Sequence, residues 1–357
     1  MAVPLVEDLA YQDEILQGVS RTFALTIPQL PEGLCKVVSN AYLLCRIADT
    51  VEDNSTLSWR QKRHFSTEFI AIVEGTESVQ AFVEALYPLL SDNTLAAERD
   101  LVKNAMRVLR ITHSFTEKQR KALARCIRIM ATGMAYYQER ETLDGLQDLP
   151  AMDDYCYHVA GVVGEMLTEL FCDYCEEIEK RREEMMRLAV SFGQGLQMTN
   201  ILKDIWEDRK RGACWLPRDI FQRAGLDLKD LAPDATNPGF AAGLAELIGI
   251  ARAHLQNALA YTSCVPRNES GIRRFCLWAL GMAVLTLRKI NAHRNFSAGH
   301  EVKITRRSVR ATVILSNITV NNDRILKFLF YLLTKDLPGS SNHEKLTLLQ
   351  YNSGSRT

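Results

Sequence analysis

Asp49-Thr50-Val51-Glu52-Asp53 and, much further along the chain, Asp204-Ile205-Trp206-Glu207-Asp208 share one pattern, D-x-x-E-D. On a helix, positions i, i+3 and i+4 fall on one face, so each stretch presents its carboxylates as a cluster. Carboxylates that close repel, and each raises its neighbours' pKa unless a cation compensates. One such cluster reads most simply as a solvated acidic face. Two copies of one spacing, both set among apolar residues, ask for a common cause. A hard divalent cation such as Mg2+ takes carboxylate oxygens, keeps several waters and shares the rest of its shell with substrate phosphates. The pair of motifs therefore predicts two facing helices that hold Mg2+ and a diphosphate between them. The expected metal acids are Asp49, Glu52, Asp53, Asp204, Glu207 and Asp208.

The sequence around the motifs is helical in pattern. Apolar residues recur at three- and four-residue spacing almost throughout, and alternating strand-like runs are scarce. An all-α fold is expected, with breaks at Pro28 to Gly33, Ser91 to Thr94, Asp144 to Asp153, Pro217, Pro233 to Gly239 and Pro266 to Ser270. No break reads as an interdomain linker and no fixed-period repeat is present, so residues 1–337 are expected to form one domain. Residues 338–357, rich in Ser, Gly and Asn, are expected to be a disordered tail.

Composition narrows the function. With 357 residues and 47% hydrophobic content the chain can bury a large core. A net charge of +0 argues against a general nucleic-acid binder. Residues 1–13 lack the basic and apolar regions of a signal peptide. No apolar run reaches the ~18 residues of a spanning helix, and Ile325 to Thr334 is short and carries Lys327. The expected location is the cytoplasm, with transient contact at the inner face of a membrane left open. The nine cysteines include a Cys172-x-x-Cys175 pair, but no second pair or histidine cluster completes a zinc set, and reduced, buried thiols are expected.

Several residues near the motifs have two readings. Ser20 in Ser20-Arg21-Thr22-Phe23 could cap a helix with Arg21 on the surface, or Arg21 and the hydroxyls could meet a diphosphate, which suits the planar fork of Arg. Arg46 could pair with Asp49, meet phosphate, or do both; Lys62, Arg63 and His64 read as a solvated face. In Tyr155-Cys156-Tyr157-His158-Val159-Ala160-Gly161-Val162-Val163-Gly164, the small residues leave a groove for a neighbouring helix or an extended apolar ligand. Tyr155 reads as a core tyrosine or as a polar group aimed into a cavity. Gly193-Gln194-Gly195 lacks the third glycine and the preceding strand of a dinucleotide fingerprint. Gln197 and Asn200 share a face with Asp204 and could extend its polar lining, with Lys203 near phosphate. Val302-Lys303-Ile304-Thr305-Arg306-Arg307 is by default a surface patch, with a role only if an anionic cofactor lies near.

These residues resemble the squalene and phytoene synthases, which join two prenyl diphosphates head to head. The likeness covers roughly residues 15 to 335, and other isoprenoid enzymes usually carry D-D-x-x-D instead. The first acidic motif, Phe275-Cys276 and Val302-Lys303-Ile304 are most similar to the squalene-forming branch. The resemblance implies an all-α prenyl-synthase fold around a central apolar cavity, two molecules of farnesyl diphosphate as substrate, Mg2+, and NADPH for a reductive step. It implies catalytic and metal roles for Asp49, Asp53, Asp204 and Asp208, with Glu52 and Glu207 as further metal acids. It also implies that Tyr155 lies near the reacting carbons, that Ser20, Arg21, Phe23, Tyr42, Arg46, Val159, Gly164, Gln197, Asn200 and Phe275 contact substrate, and that Arg21, Arg46, Lys203, Lys303 and Arg306 meet diphosphate or cofactor phosphate. Two features depart from the eukaryotic pattern: no hydrophobic anchor follows, and the second basic position after Lys303 is Thr305, with Arg306 as its stand-in. Dehydrosqualene, phytoene or hydroxysqualene formation without hydride transfer is the alternative activity, and a non-catalytic helical scaffold the remote one.

Overall fold

The computed structural model describes residues 3–20, 22–233 and 237–339. Among these residues all regular structure is helical, as the periodicity predicts, apart from one isolated bridge between Leu146 and Pro217. The helices begin α1 (Val3–Val19), α2 (Phe23–Thr26), α3 (Glu32–Glu52), α4 (Trp59–Glu74), α5 (Val79–Leu86) and α6 (Ala96–Lys103). Next come α7 (Ala105–His113), α8 (Glu117–Gln138), α9 (Leu149–Cys156), α10 (Val162–Tyr174), α11 (Glu176–Glu179) and α12 (Arg182–Lys210). The chain continues through α13 (Arg218–Arg223), α14 (Pro238–Cys264), α15 (Ser270–Ala292), α16 (Arg306–Thr319) and α17 (Asp323–Thr334). The proposed tail at 338–357 lies outside the described residues from Ser340 onward.

Two compact units are distinguishable, residues 1–140 with 165–180, and residues 141–164 with 181–357. In the first, α3 is the central helix. Leu34, Val37, Val38, Ala41, Leu44, Ala48 and Val51 recur at helical spacing and are buried, against α1, α7 and α8. Asn40 sits in this core because both of its polar ends are met: Nδ2 donates to the Val108 carbonyl at 2.9 Å, and Oδ1 accepts from Thr112 Oγ1 at 2.7 Å. Capping boxes start α4 (Ser58 with Gln61) and α8 (Thr116 with Gln119). Gly75 ends α4 with a φ of 85°, a left-handed conformation in which a side chain is strained.

In the second unit α12 and α14 pack along each other. Ser191 on α12 and His254 on α14 are both buried, with Oγ and Nδ1 2.8 Å apart, and Asn257 Nδ2 donates to the same hydroxyl at 3.0 Å. Among the described residues helix α15 alone is long and apolar enough to cross a membrane, with a mean hydropathy of 1.3 over its best window, although 61% of that window is buried in the protein. Its uncharged stretch runs only from Phe275 to Leu287, between Arg274 and Arg288, short of the ~18 residues of an uninterrupted span. Arg273 is wholly buried, held by carbonyls and by Asp323. The cysteines form no disulfide, and all but Cys35 and Cys175 are buried, as expected.

Candidate active site

The first acidic motif closes α3. Asp49 and Glu52 lie in its last turn, and Asp53 caps it, its N–H donating to the Asp49 carbonyl at 2.8 Å. Arg46, one turn earlier, lies 3.5 Å from Asp49 Oδ2 and pairs also with Glu98 of α6. Partial burial raises the Asp49 carboxyl most; Arg46 opposes this, Asp53 and Glu98 reinforce it, and the net value is about 7. Glu52 is pushed up to about 8, by burial first and then by Asp53 and Asp49. Gln138 Nε2 donates to Glu52 at 3.4 Å, and Lys62 Nζ donates to Gln138 at 2.6 Å. Lys62 therefore does not belong to the solvated face expected for residues 62–64. It reaches the acids through a glutamine.

This is a charge-frustrated site. Asp49 and Glu52 hold protons that the unfolded chain sheds near pH ~4. Between about pH 4 and about pH 8 the native state thus binds more protons than the unfolded one, and stability falls as pH rises. A bound divalent cation removes that slope by favouring the ionised forms. Urea denaturation of the metal-free protein at a series of pH values is expected to show the decline, and excess Mg2+ is expected to flatten it. A flat metal-free profile would contradict the frustration.

Beside the acids, Tyr42 Oη donates to the Val19 carbonyl at 3.1 Å, and its ring centroid lies 5.2 Å from that of Phe23. Ser20 Oγ accepts the Phe23 N–H at 2.9 Å, which is the capping reading of that residue. Arg21 lies outside the described residues.

The second motif lies near the end of α12. Asp204 pairs with Lys203 at 3.0 Å, and Asp208, buried, with Arg211 at 2.5 Å. Lys203 also reaches Asn200 Oδ1 at 3.4 Å; Asn200 is exposed and Gln197 half-buried. Glu207, counted among the metal acids, is engaged elsewhere: it accepts the Gly299 N–H at 3.0 Å. A Cβ at residue 299 would lie 2.9 Å from Glu207 Oε2 and from the Lys203 carbonyl, so only glycine fits there. Trp206 Nε1 donates to the Phe296 carbonyl at 2.7 Å. Two residues of the motif thus tether the 296–299 loop, from which the chain runs on to Lys303 and Arg306, both exposed.

The glycine-rich groove is filled by protein. Between α9 and α10 the helix widens at Tyr157–Gly161, where the Val162 N–H reaches the Tyr157 carbonyl, one residue further than in an α-helix. A Cβ on Gly164 would lie 2.3 Å from the Ala189 carbonyl oxygen, and one on Gly193 2.2 Å from that of Ala160. Of the two occupants left open, the structure shows the neighbouring helix, α12. Gly164 is therefore a packing residue on that side. Val159, inside the widened turn, stays half-exposed, and Phe275 is buried in α15. Tyr155 is buried and stacked on Trp215, centroids 4.3 Å apart and planes within 10°. Asp153 is pushed up to about 7 by burial, and its carbonyl accepts from Gln194 Nε2 at 3.1 Å. Glu98, Gln138, Trp215 and Gln194 carry no motif spacing, and only the folded chain brings them to the site residues.

Among the described residues no three His, Cys, Asp or Glu side chains gather tightly enough to hold a metal by themselves. Mg2+ does not require that, since one or two carboxylates, waters and substrate phosphates complete its shell. The first motif suits such an ion: Asp49 and Glu52 are raised by burial and by neighbouring carboxylates, which a cation would offset, and the buried Arg46 Nε has no hydrogen-bond partner.

Residues 16–308 match the family described as squalene/phytoene synthase. The chain belongs to the squalene/phytoene synthase family. Among its relatives, the squalene synthase of Schizosaccharomyces pombe is 28% identical over 341 residues, covering 94% of this chain and 71% of that protein. Squalene synthase ERG9 of Gibberella zeae is 29% identical over 280 residues, covering 76% of this chain and 56% of that protein. The squalene synthase of Eremothecium gossypii is 29% identical over 276 residues, covering 77% and 60%. The chain thus spans between about half and about seven tenths of the curated relatives it matches. In fold it is similar to TcSQS bound to the ligand BPH1237, at 24% identity and a TM-score of 0.76 over 97% of both chains. It is also similar to a ligand-bound dehydrosqualene synthase, at 18% identity and a TM-score of 0.63 over 88% of this chain and 97% of that one. The all-helical fold is shared with these squalene/phytoene synthase relatives, whose family acts on prenyl diphosphates and is generally magnesium-dependent.

Proposed function

We propose that this chain is a squalene synthase. It joins two farnesyl diphosphates head to head into presqualene diphosphate, then rearranges and reduces that intermediate to squalene. The observation that carries the reading is the end of α3, where Asp49 and Glu52 are raised to about 7 and 8 beside an arginine with an unmet donor. Such a site gains most from a ligand that brings divalent positive charge together with phosphate oxygens. The names of the relatives at 28–29% identity support the squalene-forming branch.

The residues divide the work by charge and polarity. Asp49, Glu52, Asp53, Asp204 and Asp208 would hold Mg2+, which when bound supplies electrophilic stabilisation of the leaving diphosphate. Arg21, Arg46 and Lys203 donate hydrogen bonds to the diphosphate oxygens as their negative charge grows. An allylic cation remains, which water would quench, and apolar neighbours such as Phe23, Val159 and Phe275 keep water from it. The double bond of the second chain attacks the cationic C1, and loss of a proton closes the cyclopropane. Departure of the second diphosphate then drives the rearrangement. Lys303 and Arg306, both exposed cations, would hold the phosphates of NADPH, which would supply the hydride for the reductive step. Tyr155, fixed in orientation by Trp215, is the protein's candidate for positioning the departing proton, with released diphosphate as its base.

Incubation of the purified chain with farnesyl diphosphate and Mg2+, with and without NADPH, tests this reading. Squalene is expected, and only with NADPH. Dehydrosqualene in both tubes would move the chain to the non-reductive branch, and hydroxysqualene would show capture by water.

A further inference from the structure

Helix α16 faces the wrong way for a helix in water. Its Ser316 and Thr319 are buried, and Thr312 packs on α15 so closely that a Cβ on Gly281 would lie 2.5 Å from Thr312 Cγ2. Two of these hydroxyls are met locally: Thr312 Oγ1 donates to the Ser308 carbonyl and Thr319 Oγ1 to that of Leu315. The opposite face carries Ile314, Leu315 and Ile318, which are 61%, 41% and 77% exposed. Helix α17 repeats the arrangement. Ile325, Phe328 and Leu332 recur at i, i+3 and i+7 and are 43%, 59% and 38% exposed. The two helices are consecutive, and both pack on α15. Burying one such side chain stabilises by roughly 1.5–3 kcal/mol, so a neighbouring pair of helices that both turn theirs outward calls for an apolar partner.

The charges around the stripes say which partner. On the two helices Arg307, Arg310, Arg324 and Lys327 are exposed, and none forms an ion pair among the described residues; beyond α17 the exposed Lys335 and Asp336 offset one another. The one acid on the two helices, Asp323, is held by Arg273 and Arg267. A second copy of this surface would set like charges against one another. A bilayer with anionic headgroups instead accepts aliphatic and aromatic side chains at the acyl boundary, with Lys and Arg among the headgroups.

We infer that α16 and α17 form a docking surface for an anionic lipid bilayer. Arg306, given above to cofactor phosphate, opens α16, and the exposed apolar stripe lies beyond it, at residues 314–332.

The test is sedimentation of the full chain with vesicles of phosphatidylglycerol and phosphatidylcholine, beside vesicles of phosphatidylcholine alone. Partition is expected onto the anionic vesicles and is expected to weaken with salt. Ile318→Glu combined with Phe328→Glu is expected to lower it at least about tenfold. Arg310→Glu combined with Lys327→Glu is expected to abolish the preference for anionic lipid. Both variants should keep the wild-type melting temperature, since all four side chains are exposed. Three results would overturn the inference. One is no partition of the wild-type chain, or equal partition of the variants. Another is a wild-type dimer that Ile318→Glu with Phe328→Glu dissolves, which would make the surface an interface between copies. The third is partition that appears only with Leu346→Ser and Leu349→Ser, which would make the chain's own last residues the occupant.

Discussion

Asp49→Asn and Asp204→Asn are each expected to lower turnover of farnesyl diphosphate by at least about 10²-fold, the scale of losing one important electrostatic group. Both changes keep the side chain's shape and remove one negative charge. At Asp49 the fold should not suffer. Its carboxyl is raised to about 7 by burial and by its acidic neighbours, so neutralising it relieves repulsion rather than breaking a strong pair. Asp204 gives up a partly exposed pair with Lys203, a change of ~1 kcal/mol or less. Melting temperatures near that of wild type, with turnover sharply reduced, would separate function from folding. Near-normal rates in both variants would remove the acidic motifs from the chemistry.

Arg273→Met is expected to destabilise the protein by about 3–5 kcal/mol, the cost of breaking a buried charge network. Arg273 has no exposed surface. Its Nε donates to the Val320 carbonyl at 2.7 Å, and its terminal nitrogens donate to the Thr262 and Val265 carbonyls at 3.2 and 2.8 Å and to Asp323. Methionine fills much of the volume but takes the Arg273 donors from the buried Val320 and Val265 carbonyls, leaves the Thr262 carbonyl with the Val265 N–H alone, and leaves Asp323 to Arg267. Burial alone would raise the Asp323 carboxyl; Arg273 and Arg267 outweigh it and hold the carboxyl below its usual value. That lowered value stabilises the fold above pH ~4, where the unfolded carboxyl is already ionised. The contribution is lost as pH falls through the depressed native value. Urea denaturation near neutral pH reads the substitution directly, and a loss below ~1 kcal/mol would show that the network is dispensable.

How much of this was legible before folding differs from residue to residue. The helices were, because their apolar spacing and the Ser58/Gln61 and Thr116/Gln119 boxes are local signals. The acidic motifs were, because a repeated spacing needs no tertiary information. Glu98, Gln138 and Trp215 were not, since each meets its partner only across a fold contact. Glu207 shares its motif's spacing, yet its carboxylate turns to a backbone N–H at Gly299. The widened turn at Tyr157–Gly161 packs closely on α12, a tertiary contact that local spacing does not show. The reversed faces of α16 were hidden because an amphipathic pattern shows that a helix has two faces, not which one the core takes.

Thermal unfolding of the full chain with Mg2+ and inorganic diphosphate tests most directly whether the two acidic motifs hold that pair. At a ligand concentration a hundredfold above its dissociation constant, binding to the native state alone adds ~2.7 kcal/mol of stability. The melting temperature of the wild-type chain is expected to rise with the two ligands together, and the rise is expected to vanish in Asp49→Asn and in Asp204→Asn. No shift at saturating ligand, or the same shift in both variants, would contradict a magnesium-diphosphate site at these residues.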